Sequence, residues 1–216
     1  MISRILATLG LAASLAILPA HAADYATLPE PEAGQEVAIF AGGCFWCIEA
    51  DFDKISGVLA TTSGYIGGRT ERPSYREVTS KDTGHYEALH VIYDPEVVSY
   101  DQLLTAFWHS VDPTDPTGQF CDKGDSYRTA IFALDDAQKE AALATKAAIA
   151  EAGTLSKPVV TPVLDATTFY PAETYHQDYY EKSSLRYTAY RYNCGRDRTV
   201  KRVWGDLAYK GIPKEK

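Results

Sequence analysis

The stretch Glu36 to Gly57, "EVAIFAGGCFWCIEADFDKISG", decides the fold, because the period of its apolar residues changes once along its length. Val37 to Phe40 form a short apolar run of the kind that makes a buried strand, and Gly42-Gly43 interrupts it. From Cys44 onward Phe45, Ile48, Phe52 and Ile55 recur at spacings of three and four, which is one face of a helix, until Gly57 closes the element. A strand therefore turns through two glycines into a helix, and Cys44 and Cys47 sit on that helix's first turn. Four readings of the pair are open at this point: a local staple, a metal half-site, a thioredoxin-like redox pair, or a nucleophile with its own resolving thiol.

Upstream, residues 1–22 carry one basic residue, Arg4, an apolar run from Ile5 to Leu18 and an Ala20-His21-Ala22 exit, the pattern of a cleavable secretory leader cut after Ala22. The run is short for a membrane span. Residues 23–35, rich in Ala, Pro and Glu and without periodicity, read as a flexible arm.

Downstream, "VLATTSGYIGG" from Val58 reads as a second strand and "RTERPSYREVTSKDTG" from Arg69 as a long loop. "HYEALHVIYDP" is a third strand stopped by Asp94-Pro95. "SYDQLLTAFWHSV" opens with a capping-box pair, Ser99 and Gln102, ahead of an amphipathic helix. The Asp-Pro-rich segment 112–125 is loop, "SYRTAIFAL" a strand, 135–152 an alanine-rich helix, "PVVTPVLD" a strand and "PAETYHQDYYEK" a helix, followed by a Tyr-rich tail over 183–216. The irregular alternation predicts one α+β domain over 36–216, a two-layer α/β sandwich with a ferredoxin-like core, helices packed on a small mixed sheet and long loops around the site.

The 216 residues carry 21 basic and 29 acidic side chains, a net charge of −8, and no Lys/Arg stripe, so nucleic acid and anionic membrane are poor partners. Four cysteines in an exported chain point to disulfides more than to metal, and three pairings of Cys44, Cys47, Cys121 and Cys194 are open. A zinc site lacks a second ligand pair at suitable spacing, so no metal is expected.

At a helix N-terminus the unpaired N–H groups lower a thiol pKa from about 8.5, which makes Cys44 a nucleophile candidate. A thioredoxin-like pair is a rival, yet two large aromatics between the thiols obstruct a bulky protein disulfide and suit a small apolar group. Phe45 lies on the helix's apolar stripe and serves as core or as pocket; Trp46 lies off the stripe and faces the cleft. Glu87 shares one strand face with Leu89, Val91 and Tyr93. Either that face is partly wet, or Glu87 is a desolvated carboxyl held protonated as a general acid. Tyr75, Asp122 and Tyr127 suit hydrogen bonding to an oxygen, and His176 in its Tyr-rich segment reads on its own as a satisfied histidine.

Together "GGCFWCIEADFDKISGV", "SGYIGG", "PSYREVTSKDTGHYEALHVIYDP", "FWHSVDPTDPTGQFCDKGDSYRTAIF" and "FYPAETYHQDYY" resemble peptide methionine sulfoxide reductase of the A type, in that family's order from about residue 36 to 182. The resemblance implies an enzyme that reduces the S epimer of free or peptide-bound methionine sulfoxide, with no metal or organic cofactor and a thioredoxin-like dithiol as reductant. It casts Cys44 as the attacking thiol and Glu87 as the acid on the sulfoxide oxygen, with Tyr75 and Tyr127 bonding that oxygen. Phe45 and Trp46 would hold the methyl group, with Asp122 and His176 supporting substrate binding. Cys47, where many members have Gly, is the first choice as resolving thiol and Cys194 the second; Cys121 and Cys194 are expected to form a structural disulfide. The expected setting is outside the cytosol, secreted or periplasmic, with a monomer repairing oxidised exported proteins. The rival function is a general thiol–disulfide oxidoreductase using Cys44 and Cys47.

Overall fold

The structure is a computed structural model that describes residues 24–80 and 82–214, so the leader expected over 1–22 lies outside the described residues. In chain order the first half holds β1 (Glu36–Gly42), α1 (Phe45–Phe52), β2 (Val58–Ile66), α2 (Tyr75–Ser80), β3 (Tyr86–Tyr93) and α3 (Tyr100–Trp108). The second half holds β4 (Gly118–Gln119), β5 (Asp122–Lys123), β6 (Thr129–Ala133), α4 (Asp136–Glu151), β7 (Val163–Asp165) and β8 (Tyr170–Pro171), then α5 (Tyr179–Lys182), α6 (Ser184–Cys194) and α7 (Arg196–Trp204).

β1 and β2 both pair antiparallel with β3, which lies between them, and α1 makes the crossover. β6 pairs antiparallel with the free side of β1, β7 adds parallel to β6, and β8 adds antiparallel to β2. The resulting order β7-β6-β1-β3-β2-β8 is a mixed sheet with the ferredoxin-like core expected from the sequence. β4 and β5 form a separate hairpin.

Alternation along β1 and β3 sends Ala38, Phe40, Leu89, Val91 and Tyr93 to one face and Ile39, Ala41, Tyr86 and Ala88 to the other. The first face is covered by helices, through Ile48 and Phe52 of α1, Leu103, Phe107 and Trp108 of α3, Ala142 of α4, and Val200 and Trp204 of α7. The second is covered by irregular chain, with Phe169 and Leu28 packed on it. Burial of large side chains at about 25 cal/mol per Å² of apolar surface is what holds these layers together. The predicted capping box forms: Ser99 Oγ accepts from the Gln102 N–H at 3.3 Å and Gln102 Oε1 accepts from the Ser99 N–H at 2.8 Å.

Several segments differ from the sequence reading, among them the 112–125 loop, which contains the β4–β5 hairpin. The arm over 24–35 lies against the domain: Tyr25 bridges to Glu173, the Ala26 N–H donates to the Ala172 carbonyl at 2.9 Å, and Leu28 packs on the sheet. The long loop after Gly68 contains the short helix α2. The helix expected over 171–182 is instead strand β8, a 3-10 turn at Thr174–His176 and the four-residue α5, because Asp178 adopts a left-handed conformation (φ 52°) that breaks the run. The Tyr-rich tail, to which the sequence reading assigned no element, contains two helices, α6 and α7, joined at Gly195 (φ 71°). Among the described residues, no helix is long and apolar enough to cross a membrane.

Candidate active site

Gly43 takes a left-handed conformation (φ 81°), and that turns the end of β1 into α1 with Cys44 at the N-cap. The Cys44 carbonyl accepts from the Cys47 N–H at 3.1 Å, so the two cysteines close one turn, both as free, buried thiols. Because Phe40 of β1 registers with Leu89 of β3, the end of β1 arrives beside the start of β3, and Glu87 comes to lie under the first turn of α1. The Phe45 N–H donates to Glu87 Oε2 at 3.1 Å.

Glu87 is 1% exposed, and its Oε1 has no hydrogen-bond partner among the described residues. Burial, reinforced by the charges of Asp122 and Cys47, pushes its carboxyl well above the usual range, against the pull of the Phe45 N–H and Tyr127. Of the two readings left open by the strand pattern, the partly wet face is excluded, because Glu87 is desolvated. Tyr75 opens α2 with its N–H on Glu173 Oε1 at 2.9 Å, and Tyr127 ends a short 3-10 turn after β5. Burial raises both phenols, Tyr75 to about 12, so both are hydrogen-bond donors at neutral pH.

The aromatic residues form one nest. The Phe45 ring centre lies 5.0 Å from His176 and 6.4 Å from both Trp46 and Tyr75, and Tyr179 stacks on Trp46 at 3.9 Å. Phe45 is fully buried against Tyr65, Val78 and Ala172, so it is floor and core together, while Trp46 is partly open. His176, expected among the substrate-binding residues, is 1% exposed and sits behind Trp46, accepting the indole N–H on Nδ1 at 3.1 Å. Burial lowers its pKa to about 4, so the ring is neutral and orients Trp46.

The two thiols are pushed in opposite directions, and Cys44 shifts up where helix position alone would lower it. Burial pushes the Cys44 thiol up, and its bond to Cys47 and the charges of Cys47 and Glu87 push it further. Cys47 is pulled down by the hydrogen bond from Cys44 and by Arg196 and Arg191, against burial. The physical reason is local: the first free N–H of α1, at Phe45, is directed to Glu87 and not to the Cys44 sulfur. Within the pair the Cys44 thiol is therefore held up and the Cys47 thiol held down.

Cys121 and Cys194 form a disulfide with Cα atoms 4.9 Å apart, joining the residue before β5 to the end of α6. Next to it, the Tyr190 hydroxyl donates to Asp122 Oδ2, Tyr190 meets the Trp46 ring edge-on at 5.8 Å, and Tyr187 packs against Cys44 and Cys47. Asp122 is thus tied to the tail. Cys194, as the alternative resolving thiol, would first have to leave this bond.

Sequence reasoning missed Tyr179, Tyr187, Tyr190, Arg191 and Arg196. The signal was present in the tail: Tyr187, Tyr190, Arg191 and Cys194 recur at three, four and seven, the spacing of one helix face.

A family model described as peptide methionine sulfoxide reductase matches residues 36–208. The chain is 49% identical over 171 residues to peptide methionine sulfoxide reductase MsrA of Bacillus licheniformis, covering 79% of this chain and 94% of that protein. It is 49% identical over 185 residues to MsrA 2 of Rhizobium meliloti, covering 86% and 91%. Among solved structures it is similar to reduced Mxr1 from Saccharomyces cerevisiae, with a TM-score of 0.67 at 29% identity over 72% of this chain and 90% of that one.

Proposed function

Because the chain belongs to the peptide methionine sulfoxide reductase family, and is an oxidoreductase on that ground, we propose that it reduces the S epimer of methionine sulfoxide, peptide-bound or free, through Cys44. The observation that carries this reading is the buried Glu87 carboxyl, one oxygen on the Phe45 N–H and the other unpartnered, beneath the turn that bears Cys44. A sulfoxide oxygen is a strong acceptor and a poor leaving group, so a neutral acid at that oxygen lowers the barrier where a carboxylate would raise it.

In this scheme the substrate methyl rests on Phe45 and Trp46, with Tyr75 and Tyr127 donating to the oxygen. Cys44 Sγ bonds to the sulfoxide sulfur as Glu87 gives its proton to the oxygen. In the collapse the oxygen passes to Cys44: the Cys44 Sγ–substrate sulfur bond and the substrate S–O bond break as an S–O bond forms on Cys44, giving methionine and a Cys44 sulfenic acid, and the proton lost by the Cys44 thiol restores Glu87. Cys47, one turn away, then closes a disulfide with Cys44, and a thioredoxin-like dithiol reduces it. Both electrons come from thiols, so the scheme calls for no metal or organic cofactor. Every group in it belongs to one chain, so a monomer suffices.

We place the protein outside the cytosol, in the periplasm, as a repair enzyme for oxidised exported proteins. The leader pattern over 1–22 supports this, and so does the Cys121–Cys194 disulfide, a bond that persists in oxidising compartments. The test is incubation with each epimer of a methionine sulfoxide peptide and dithiothreitol. Loss of the S epimer alone, abolished in Cys44→Ser, is the expected outcome; reduction of insulin disulfides without sulfoxide turnover would make the chain a general oxidoreductase.

A further inference from the structure

α7 begins with a buried cation that the scheme above does not use. Arg196 is 1% exposed; Nη1 donates to the Gly42 carbonyl at 3.2 Å and Nη2 to the Ser110 carbonyl at 3.0 Å. The guanidinium therefore sits under the glycine turn that leads into Cys44. Its Nε–H has no hydrogen-bond partner among the described residues. The acidic oxygen paired with it, Asp51 Oδ2, is 3.8 Å from Nε, and Asp51 is shared with Arg191, whose Nη1 is 3.0 Å from Oδ1. Arg191 has Asp197 as well, at 2.8 Å, whereas Arg196 has the more distant Asp51 oxygen and the face of the Phe120 ring, 4.8 Å from its Cζ.

A guanidinium this deep, with its nearest carboxylate at 3.8 Å, is stabilised by any further anion that forms beside it. Asp51 lies one turn beyond Cys47 on α1, so the two share the face that meets α6 and α7. Cys47 and Asp51 both act to hold the charge of Arg196, and Arg196 in turn pulls Cys47 down. The groups facing Cys47 are Cys44 at the helix cap, Asp51 on its own helix, Glu87 from β3, Tyr187, Tyr190 and Arg191 from α6, and Arg196 from α7. Among them the phenols and Glu87 are held protonated by burial, leaving the two arginines opposite Asp51 and the sulfur.

We propose that Arg196 is a positioning residue for the second chemical step: buried beside Cys47 with its Nε–H unsatisfied, it holds the Cys47 sulfur as the anion that attacks the Cys44 sulfenic acid. This rests on the reductase reading above. In the step, a lone pair of the Cys47 thiolate forms the S–S bond as the Cys44 S–O bond breaks. The oxygen departs as hydroxide, takes a proton from solvent and leaves as water; Cys47 is oxidised and the sulfenic sulfur reduced to the disulfide level. The α7 cation thus couples the C-terminal helices to recycling, and substrate reduction at Cys44 does not need it.

The experiment is a single turnover. Fully reduced protein is mixed with one equivalent of an S-sulfoxide peptide without reductant, acid-quenched at intervals and weighed by mass spectrometry. Methionine formed, the one-oxygen adduct on Cys44 and the 44–47 disulfide are followed separately. In Arg196→Gln at pH 7, one methionine per protein still forms, while disulfide closure slows about tenfold or more and recovers towards pH 9.5, each unit of thiol pKa being tenfold in thiolate. Arg196→Lys restores most of the rate at pH 7. Closure unchanged in Arg196→Gln, or slowed by the same factor at every pH, overturns the proposal. Absence of methionine in the unmodified protein overturns the reductase reading instead.

Should Arg196→Gln not fold, Cys44→Ser alone decides. The iodoacetamide reaction of its Cys47 is expected to titrate below the free-thiol value of about 8.5, and a midpoint at or above that value overturns the proposal.

Discussion

Replacing Glu87 by Gln tests the acid and its burial in one variant. Gln keeps the shape and an acceptor oxygen for the Phe45 N–H, now at 3.1 Å from Oε2, and loses only the transferable proton. General acids contribute roughly 10² to 10⁴ in rate, so kcat/KM with an S-sulfoxide peptide should fall by about that factor, 3 to 5 kcal/mol of transition-state stabilisation. Stability should move the other way. The Glu87 pKa is raised in the folded state, so its stabilising contribution is complete below the unfolded pKa near 4.3 and is lost as pH climbs towards the folded value. Across that window the natural protein loses about 1.4 kcal/mol per pH unit from this group, and the Gln variant does not. Denaturant melts at pH 5 and pH 8, with m-values compared, should therefore show the variant gaining on the natural protein as pH rises. A variant that stays active, or one that loses activity together with stability at pH 8, would refute the claim that Glu87 is a buried, protonated acid.

Cys47→Ser should complete one turnover at the natural rate of methionine formation and then stall as a Cys44 sulfenic acid, visible as one added oxygen by mass. Trp46→Ala removes the partly open wall that His176 and Tyr179 brace, and should lower kcat/KM by 10- to 200-fold, the worth of about 1–3 kcal/mol of small apolar contact. Loss of the Cys121–Cys194 bond, by the double change to Ser, opens a 73-residue separation and should cost at most about 4 kcal/mol of unfolding free energy in a urea titration. Glu49, buried with Oε2 on the Asp178 N–H at 3.0 Å, has its pKa pushed up to about 8 by burial. Its contribution is complete below about 4.3 and lost as pH rises to about 8, so Glu49→Gln should flatten the stability profile over that window in thermal melts.

Legibility followed the kind of residue that each element buries. β1, α1, β3, α3 and α4 were readable because their buried positions are aliphatic or aromatic residues at clean periods of two or 3.6, or because a cap pair such as Ser99–Gln102 marks the start. α6 and α7 were not, since the side chains that they bury include Tyr187 and Arg196, residue types that ordinarily mark a surface. The break at Asp178 was hidden for another reason, as a left-handed non-glycine residue leaves no signature in composition. Within the site, Cys44, Phe45, Trp46, Glu87, Tyr75 and Tyr127 are brought together as the motifs anticipated. His176 braces Trp46 through the indole N–H, and the thiol that its surroundings pull down is Cys47, not Cys44.

By itself the sequence determined that a strand turns into a helix at Gly42-Gly43 with two cysteines on the first turn, because apolar period and glycine are local properties of the chain. It also determined which side chains were chemically able to act. Tertiary structure alone decided their states. Whether Glu87 holds a proton, which sulfur of the pair bears the charge, and which arginine answers it depend on desolvation and on groups 40 to 150 residues away, and no local pattern carries those energies.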